Sequence, residues 1–154
     1  MPHLFVYDTP IGKLSLAEAE GALTHIWFSD QTELPGYQLH ETPLLKDAAA
    51  QLFAYFNREL TQFDVPLSMH GTAFQRSVWD ALKTIPFGET RSYGDIAVQV
   101  GNPKAARAVG MANNRNPIPI IVPCHRVIGA SGQLVGFNSG LSIKQFLLDL
   151  ESER

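Results

Sequence analysis

Ser92-Tyr93-Gly94-Asp95-Ile96-Ala97-Val98-Gln99-Val100-Gly101-Asn102-Pro103-Lys104-Ala105-Ala106-Arg107-Ala108-Val109-Gly110 reads as two short helices joined by a tight turn. Ser92 with Asp95 three residues on is a capping-box pair, which predicts a helix start. Tyr93, Ile96, Ala97 and Val100 then share one face at helical spacing, and Gly101 ends the run. Asn102-Pro103 predicts an immediate restart, with Asn as N-cap and Pro at the first position, and a second helix from Lys104 to about Asn113. Such a pair is a helix-turn-helix. The second helix is slim, rich in Ala and Gly, and carries Lys104 and Arg107. Small side chains let a helix approach a nucleic-acid groove. They equally serve tight helix–helix packing, and the pattern alone leaves both open.

The flanking sequence extends this helical half. Thr72 and Gln75 form another capping-box pair, followed by Phe74, Val78, Trp79 and Leu82 on one face. Pro86-Phe87-Gly88 breaks that helix. Downstream, Asn116 to Ile128 places three prolines (Pro117, Pro119, Pro123) within seven residues, which forbids helix. Apolar residues between them predict a buried, extended segment that delivers Cys124 to a fixed place. Four glycines between Gly129 and Gly140 predict a loop, and a last helix is expected near 141–151.

The first part of the chain reads differently. Turns at Pro10-Ile11-Gly12 and Glu20-Gly21 predict antiparallel strands at about 3–8, 12–18 and 22–28. Residues 30–42 read as a loop, 43–58 as a helix, Phe63 to Leu67 as one more short strand, and 68–72 as a linker. The fold expected is therefore α+β: an N-terminal domain over 1–68, with an antiparallel sheet and a helix, and a mostly helical C-terminal domain over 72–154 carrying the helix-turn-helix.

Composition bounds the chemistry. The chain has 154 residues and one cysteine, which excludes an internal disulfide and any zinc site of several thiolates. No apolar run reaches the roughly 18 residues of a membrane span, and the start lacks signal-peptide character. A cytoplasmic protein without membrane contact is expected. The net charge of −3 divides into −6 for residues 1–68 and +3 for the remainder. The stretch 91–126 holds Arg91, Lys104, Arg107, Arg115 and Arg126 against Asp95 alone, either a phosphate-attracting patch or an ordinary solvated face.

Cys124 is either a small buried hydrophobe or a nucleophile. His125 and Arg126 give it an electropositive setting, which is expected to lower the thiol pKa. On an extended chain, neighbours point to opposite sides, so His125 is expected to act on the thiol through a bridging water. A third group, from elsewhere in the fold, should orient the imidazole.

Pro123-Cys124-His125-Arg126-Val127 resembles the active-site motif of the O6-alkylguanine–DNA alkyltransferases. The resemblance continues through Phe74-Gln75, Val78-Trp79, Ile85-Pro86-Phe87-Gly88, Ser92-Tyr93, Gly101-Asn102-Pro103, Ala106 to Gly110, Ala112-Asn113, Asn116-Pro117 and the closing Lys144, Leu147-Leu148 and Glu151. The N-terminal part is similar to the family's small, ribonuclease-H-like domain, without the zinc site of some members. The resemblance implies repair of double-stranded DNA by direct reversal. The alkylated nucleotide is rotated out of the stack, and its O6-alkyl group passes irreversibly to a cysteine, once per molecule. O4-alkylthymine is an expected second substrate. A monomer without cofactor, metal or obligate protein partner is implied.

Matched motif by motif, Cys124 would be the alkyl acceptor. His125 would take its proton through a water, Glu151 would hold and polarise His125, and Asn116 would brace the turn before the active-site strand. Tyr93 would crowd the phosphate beside the target and protonate the departing guanine. Arg107 would enter the stack in place of the flipped base, with Ser92, Lys104, Ala105, Ala108 and Gly110 completing the DNA-facing surface. The carbonyls of Cys124 and Val127 would read the exocyclic amine of guanine, and the Asn138 amide would face O6. Pro119, Phe137 and Ser139 would complete the pocket. Phe137 stands where tyrosine is frequent in the family and Ser139 where it usually has glycine; the Ser139 β-carbon narrows the loop, so bulky O6-benzyl groups are expected to react more slowly relative to methyl than in a Ser139→Gly variant. A lesion-binding relative without transfer would lack Cys124. A plain regulator would not need His125, Glu151 and Asn116 together, and a cysteine hydrolase lacks a convincing second histidine.

Overall fold

The structure, a computed structural model, describes residues 2–132 and 140–152. It separates into two compact units, Met1–Met69 and His70–Arg154.

In the first unit, β1 (His3–Thr9), β2 (Gly12–Ala19) and β3 (Ala22–Trp27) form an antiparallel meander. Glu20 and Gly21 both have positive φ, 53° and 80°, and link Ala19 to Ala22 in a two-residue hairpin turn whose twist suits the strands. A fourth strand, β4 (Gln38–Leu39), lies in the stretch expected to be all loop and runs parallel to β1, so the sheet is mixed, in the order β3-β2-β1-β4. The expected strand at Phe63–Leu67 is reduced to one bridge between Leu67 and Leu23. Pro66 has no N–H to extend that ladder, although its carbonyl accepts from Leu23 N–H at 2.8 Å. Helix α1 (Pro43–Phe56) begins at Thr42, whose hydroxyl accepts Leu45 N–H at 3.2 Å, with Pro43 in the first turn. It contributes Leu45, Ala48, Leu52 and Tyr55 to a core with Leu4, Leu14, Leu16 and Ile26.

The second unit holds α2 (Ala73–Leu82), α3 (Tyr93–Gln99), α4 (Ala106–Asn114) and α5 (Leu141–Ser152). Both expected capping boxes are formed, Thr72 with Gln75 and Ser92 with Asp95. The restart after α3 differs from the sequence reading. Ala105 N–H donates to the Asn102 carbonyl at 3.0 Å, closing a turn over Pro103 and Lys104, and α4 begins only at Ala106. Lys104 and Ala105 thus precede the helix, and its N-cap, Ala105, offers no side-chain oxygen. Two short strands, β5 (Arg91–Ser92) and β6 (Val127–Ile128), pair in parallel and tie the start of α3 to the residues after Cys124. The Trp79 indole N–H donates to the Ala112 carbonyl at 2.9 Å and joins α2 to α4 inside a core that includes Val78, Leu82, Ile96, Val109, Ile118 and Leu147. Among the described residues, no helix is long and apolar enough to cross a membrane.

Candidate active site

The proline-rich segment is buried, as its composition predicts, but it is not simply extended. Ile121 N–H donates to the Pro119 carbonyl at 2.9 Å around Ile120, whose φ is 74°. Cys124 N–H donates to the Val122 carbonyl at 2.8 Å around Pro123, at φ −81° and ψ 67°. Each is a three-residue γ-turn, the first of the left-handed kind that a β-branched residue rarely adopts. Side-chain packing holds it, since Ile118, Ile120 and Val122 are all buried. The second turn leads into a 3-10 turn, Cys124–Arg126. Three prolines exclude α-helix, yet a proline followed by residues with free N–H groups accommodates these tight turns.

Asn116 braces this path from the end of α4. Its Nδ2 donates to the Val122 carbonyl at 2.8 Å and its Oδ1 accepts Ile118 N–H at 3.0 Å. The same side chain favours the ionised form of the Cys124 thiol. Asn113, one turn back, donates from Nδ2 to the Cys124 carbonyl at 3.3 Å.

Cys124, His125 and Arg126 are all buried. His125 Nε2 lies 2.6 Å from Oε2 of Glu151 on α5. Its Nδ1 is buried and has no partner among the described residues. Arg126 meets the same carboxylate twice, Nε to Oε1 at 2.8 Å and a terminal nitrogen to Oε2 at 3.0 Å, while its other terminal nitrogen donates to the Ile85 carbonyl at 2.6 Å. Gly88 N–H adds a fourth donor to Glu151, at 3.2 Å. Lys144, also on α5 and fully buried, donates from Nζ to the Val127 carbonyl at 2.5 Å and stands 6.0 Å from the centre of the Tyr93 ring.

These contacts set the protonation states. Burial pushes the Cys124 thiol up to about 11, against the opposing pull of the Asn116 hydrogen bond and the Lys144 charge. The expected lowering by Arg126 does not occur, because that guanidinium is spent on Glu151 and burial dominates. Burial would raise the Glu151 carboxyl, but hydrogen bonds from His125 and Arg126, and their charges, hold it at about 2. Burial also lowers His125, opposed by Glu151, so the imidazole is neutral at neutral pH. Lys144 is lowered to about 8 by burial, with Cys124 opposing. Tyr93 is raised by burial and by Cys124, so its hydroxyl stays protonated. With Glu151 ionised, Nε2 of the neutral imidazole carries the proton and Nδ1 is the free acceptor.

The remaining sequence-derived residues fall in three places. Pro119 and Val127 are buried, one on each side of Cys124 in sequence. Ser92 and Tyr93 open α3, while exposed Lys104, Arg107 and Ala108 lie at the start of α4 and just before it, with Ala105 and Gly110 half-buried. A side chain at Gly110 would meet the Tyr93 ring at 3.8 Å, so α4 and Tyr93 pack closely. Phe137, Asn138 and Ser139 lie outside the described residues. Of the five cations in 91–126, Arg126 is buried and contributes nothing to a surface patch. Sequence reasoning assigned no role to Arg126 against Glu151 or to Lys144 against Val127. A signal existed for Lys144: with Leu147, Leu148 and Glu151 it forms the i, i+3, i+4, i+7 stripe of a buried helix face. Among the described residues, no group of three or more His, Cys, Asp or Glu could hold a metal ion.

Residues 73–153 match the family model for the 6-O-methylguanine DNA methyltransferase DNA-binding domain, and residues 4–69 match that for the ribonuclease-like domain of the same proteins. The chain is 55% identical over 149 residues to a methylated-DNA–protein-cysteine methyltransferase of Methanosarcina acetivorans, covering 95% of this chain and 96% of that one. It is 56% identical over 156 residues to the protein of the same name from Mycobacterium leprae, covering 100% and 94%. A crystal structure of Mycobacterium tuberculosis OGT in complex with DNA superposes with a TM-score of 0.91 at 53% identity, covering 97% of this chain and 92% of that one.

Proposed function

The chain belongs to the 6-O-methylguanine DNA methyltransferase family, and on that premise we propose that it repairs DNA by transferring the O6-alkyl group of a damaged guanine to Cys124. The observation that carries the assignment to this site is the His125 ring. Its Nε2 is held 2.6 Å from Glu151, and its buried Nδ1 has no partner among the described residues. That arrangement supplies a base next to a thiol that burial keeps protonated.

In the reaction, His125 takes the Cys124 proton through a water. The thiolate attacks the alkyl carbon, a C–S bond forms and the C–O6 bond breaks. The departing guanine takes a proton from Tyr93, which stays protonated to high pH. Glu151, ionised down to about pH 2, stabilises the imidazolium that forms. Lys144 offsets the negative charge that develops on sulfur. The thioether has no leaving group to regenerate the thiol, so each molecule turns over once.

The α3–α4 pair serves as a helix-turn-helix on double-stranded DNA, with Arg107 filling the space of the flipped nucleotide and Ser92, Lys104, Ala105, Ala108 and Gly110 against the strand. Pro119, Val127, Phe137, Asn138 and Ser139 line the base pocket in this reading, and O4-alkylthymine is a second substrate. The protein works as a cytoplasmic monomer without a cofactor.

The test is the intact mass of the protein after mixing with a duplex containing one O6-methylguanine. One methyl per molecule, mapped to Cys124 and lost in Cys124→Ala, is expected. Tight retention of the duplex without a mass gain would instead identify a lesion-binding protein.

A further inference from the structure

Gly71 is exposed and stands just before Thr72, the cap of α2. It is not among the glycines with positive φ, so backbone freedom does not explain it. What it supplies is space. A β-carbon there would lie 2.6 and 2.8 Å from two ring carbons of Trp79 and 2.7 Å from the Gln75 amide oxygen. The Gln75 amide ends a flexible side chain and can give way. The Trp79 ring is rigid and 2% exposed, so close packing leaves it little room to retreat.

The other edge of the same ring is tied to α4. The indole N–H donates to the Ala112 carbonyl at 2.9 Å, in the last turn of that helix. The next residue, Asn113, is 1% exposed and donates from Nδ2 to the Cys124 carbonyl at 3.3 Å. Gly71, Trp79, Ala112, Asn113 and Cys124 thus form one run of contacts, from the chain entering α2 to the main chain of the alkyl acceptor. A ring pressed at one edge and hydrogen-bonded at the other cannot turn or slide without moving the end of α4. Attack on an alkyl carbon is sensitive to such movement, because a small misplacement of the nucleophile slows it steeply.

We propose that Trp79, seated by Gly71, is a positioning residue for methyl transfer: it fixes the end of α4 and, through Asn113, the main chain of Cys124. This rests on the alkyl-transfer reading above. It gives the indole a task beyond filling the core, and it gives Gly71 a part in the reaction rate although no reacting atom touches it.

The test follows methylation of Cys124 by mass in a single turnover with an O6-methylguanine duplex, for the native chain, Trp79→Phe, Gly71→Ala and the double variant. The final methyl content counts the folded molecules, so the rate constant of approach does not depend on the folded fraction. Trp79→Phe keeps an aromatic ring and loses the N–H, and it should slow transfer at saturating duplex by about fivefold or more. Gly71→Ala should slow it similarly by forcing the indole off Ala112. The loss should lie in the saturating rate, more than in the duplex concentration that gives half of it. A phenyl ring leaves room for the new β-carbon, so the double variant should be no slower than Trp79→Phe. Variants that melt earlier but methylate at the native rate would overturn the proposal, leaving Trp79 a packing residue. Losses that multiply in the double variant would overturn it too, since the two changes would then act separately. Absence of any methyl on native Cys124 would overturn the alkyl-transfer reading, and this proposal with it.

Discussion

Arg126 clamps Glu151 through two N–H···O bonds, Nε to Oε1 at 2.8 Å and a terminal nitrogen to Oε2 at 3.0 Å, so the carboxylate that orients His125 is itself oriented. Arg126→Met would leave Glu151 charged, buried and short of two donors. The loss of one partner from such a pair should cost about 3–5 kcal/mol, read from urea denaturation. Arg126→Lys, which cannot offer the paired geometry, should fall between the two proteins.

Acid stability follows from the same carboxylate. Its folded pKa of about 2 lies below the ordinary carboxylate value of about 4.3. Such a group contributes stability that is complete above the unfolded value and is lost as pH falls through the folded one. Between about pH 4 and pH 2, the native protein should therefore lose stability faster than Glu151→Gln, although the variant is the less stable of the two at neutral pH. Melting temperatures across that range would reveal the converging curves.

The thiol value of about 11 implies a chemically quiet cysteine in the free protein. Roughly one Cys124 in a thousand is thiolate at pH 8, so alkylation by iodoacetamide should be slow and should quicken about tenfold per pH unit. Lys144→Met and Asn116→Ala each remove a group that favours the thiolate, and each should slow that alkylation at fixed pH. Mass spectrometry on undigested protein is sufficient. Fast labelling at pH 7 would contradict the buried setting.

Gly110 separates stability from binding. A methyl group there would sit 3.8 Å from the Tyr93 ring, an ordinary contact, in the middle of α4. Gly110→Ala should stabilise the protein by up to about 1 kcal/mol through helix propensity. If the slim face of α4 lies against DNA, the same change should weaken duplex binding. A more stable protein with unaltered affinity would remove Gly110 from the DNA-facing surface.

Arg107→Ala should reduce the rate of methyl transfer more than it reduces affinity for undamaged duplex. Phosphate contacts dominate the latter and are shared among several cations, whereas filling a vacated base position is a task for one side chain. Parallel losses in rate and in nonspecific affinity would contradict the role given to Arg107.

Local chemistry made much of this legible. Thr72 with Gln75 and Ser92 with Asp95 announce two helix starts because a cap is a contact between residues three apart. Glu20-Gly21 announces a hairpin for the same reason. What escaped was either very short or distant in sequence. The strands β5 and β6 have two residues each and pair across 36 positions, too short for any periodicity to register. Gln38–Leu39 is polar at one of its two positions and looks like loop until β1 offers an edge. Asn102-Pro103 fits an N-cap signature but makes a turn one step earlier, and nothing local distinguishes the two. In the site, Cys124 and His125 were visible as chemistry, and the closing Glu151 only by resemblance. Arg126 read as surface charge, because adjacency to His125 in sequence says nothing about a carboxylate 25 residues away.

Lys144 and Glu151 project from the same face of one helix, seven residues or two turns apart, at a separation of about 10 Å along its axis. The first fixes the Val127 carbonyl and the second fixes His125. Helix α5 therefore works as a rigid gauge with a cationic and an anionic mark. A slide along the axis shifts both marks together, so the charge offered to the sulfur and the charge offered to the imidazole cannot be retuned separately by sliding the helix. Evolution or engineering that adjusts one must do so by substitution rather than by an axial shift.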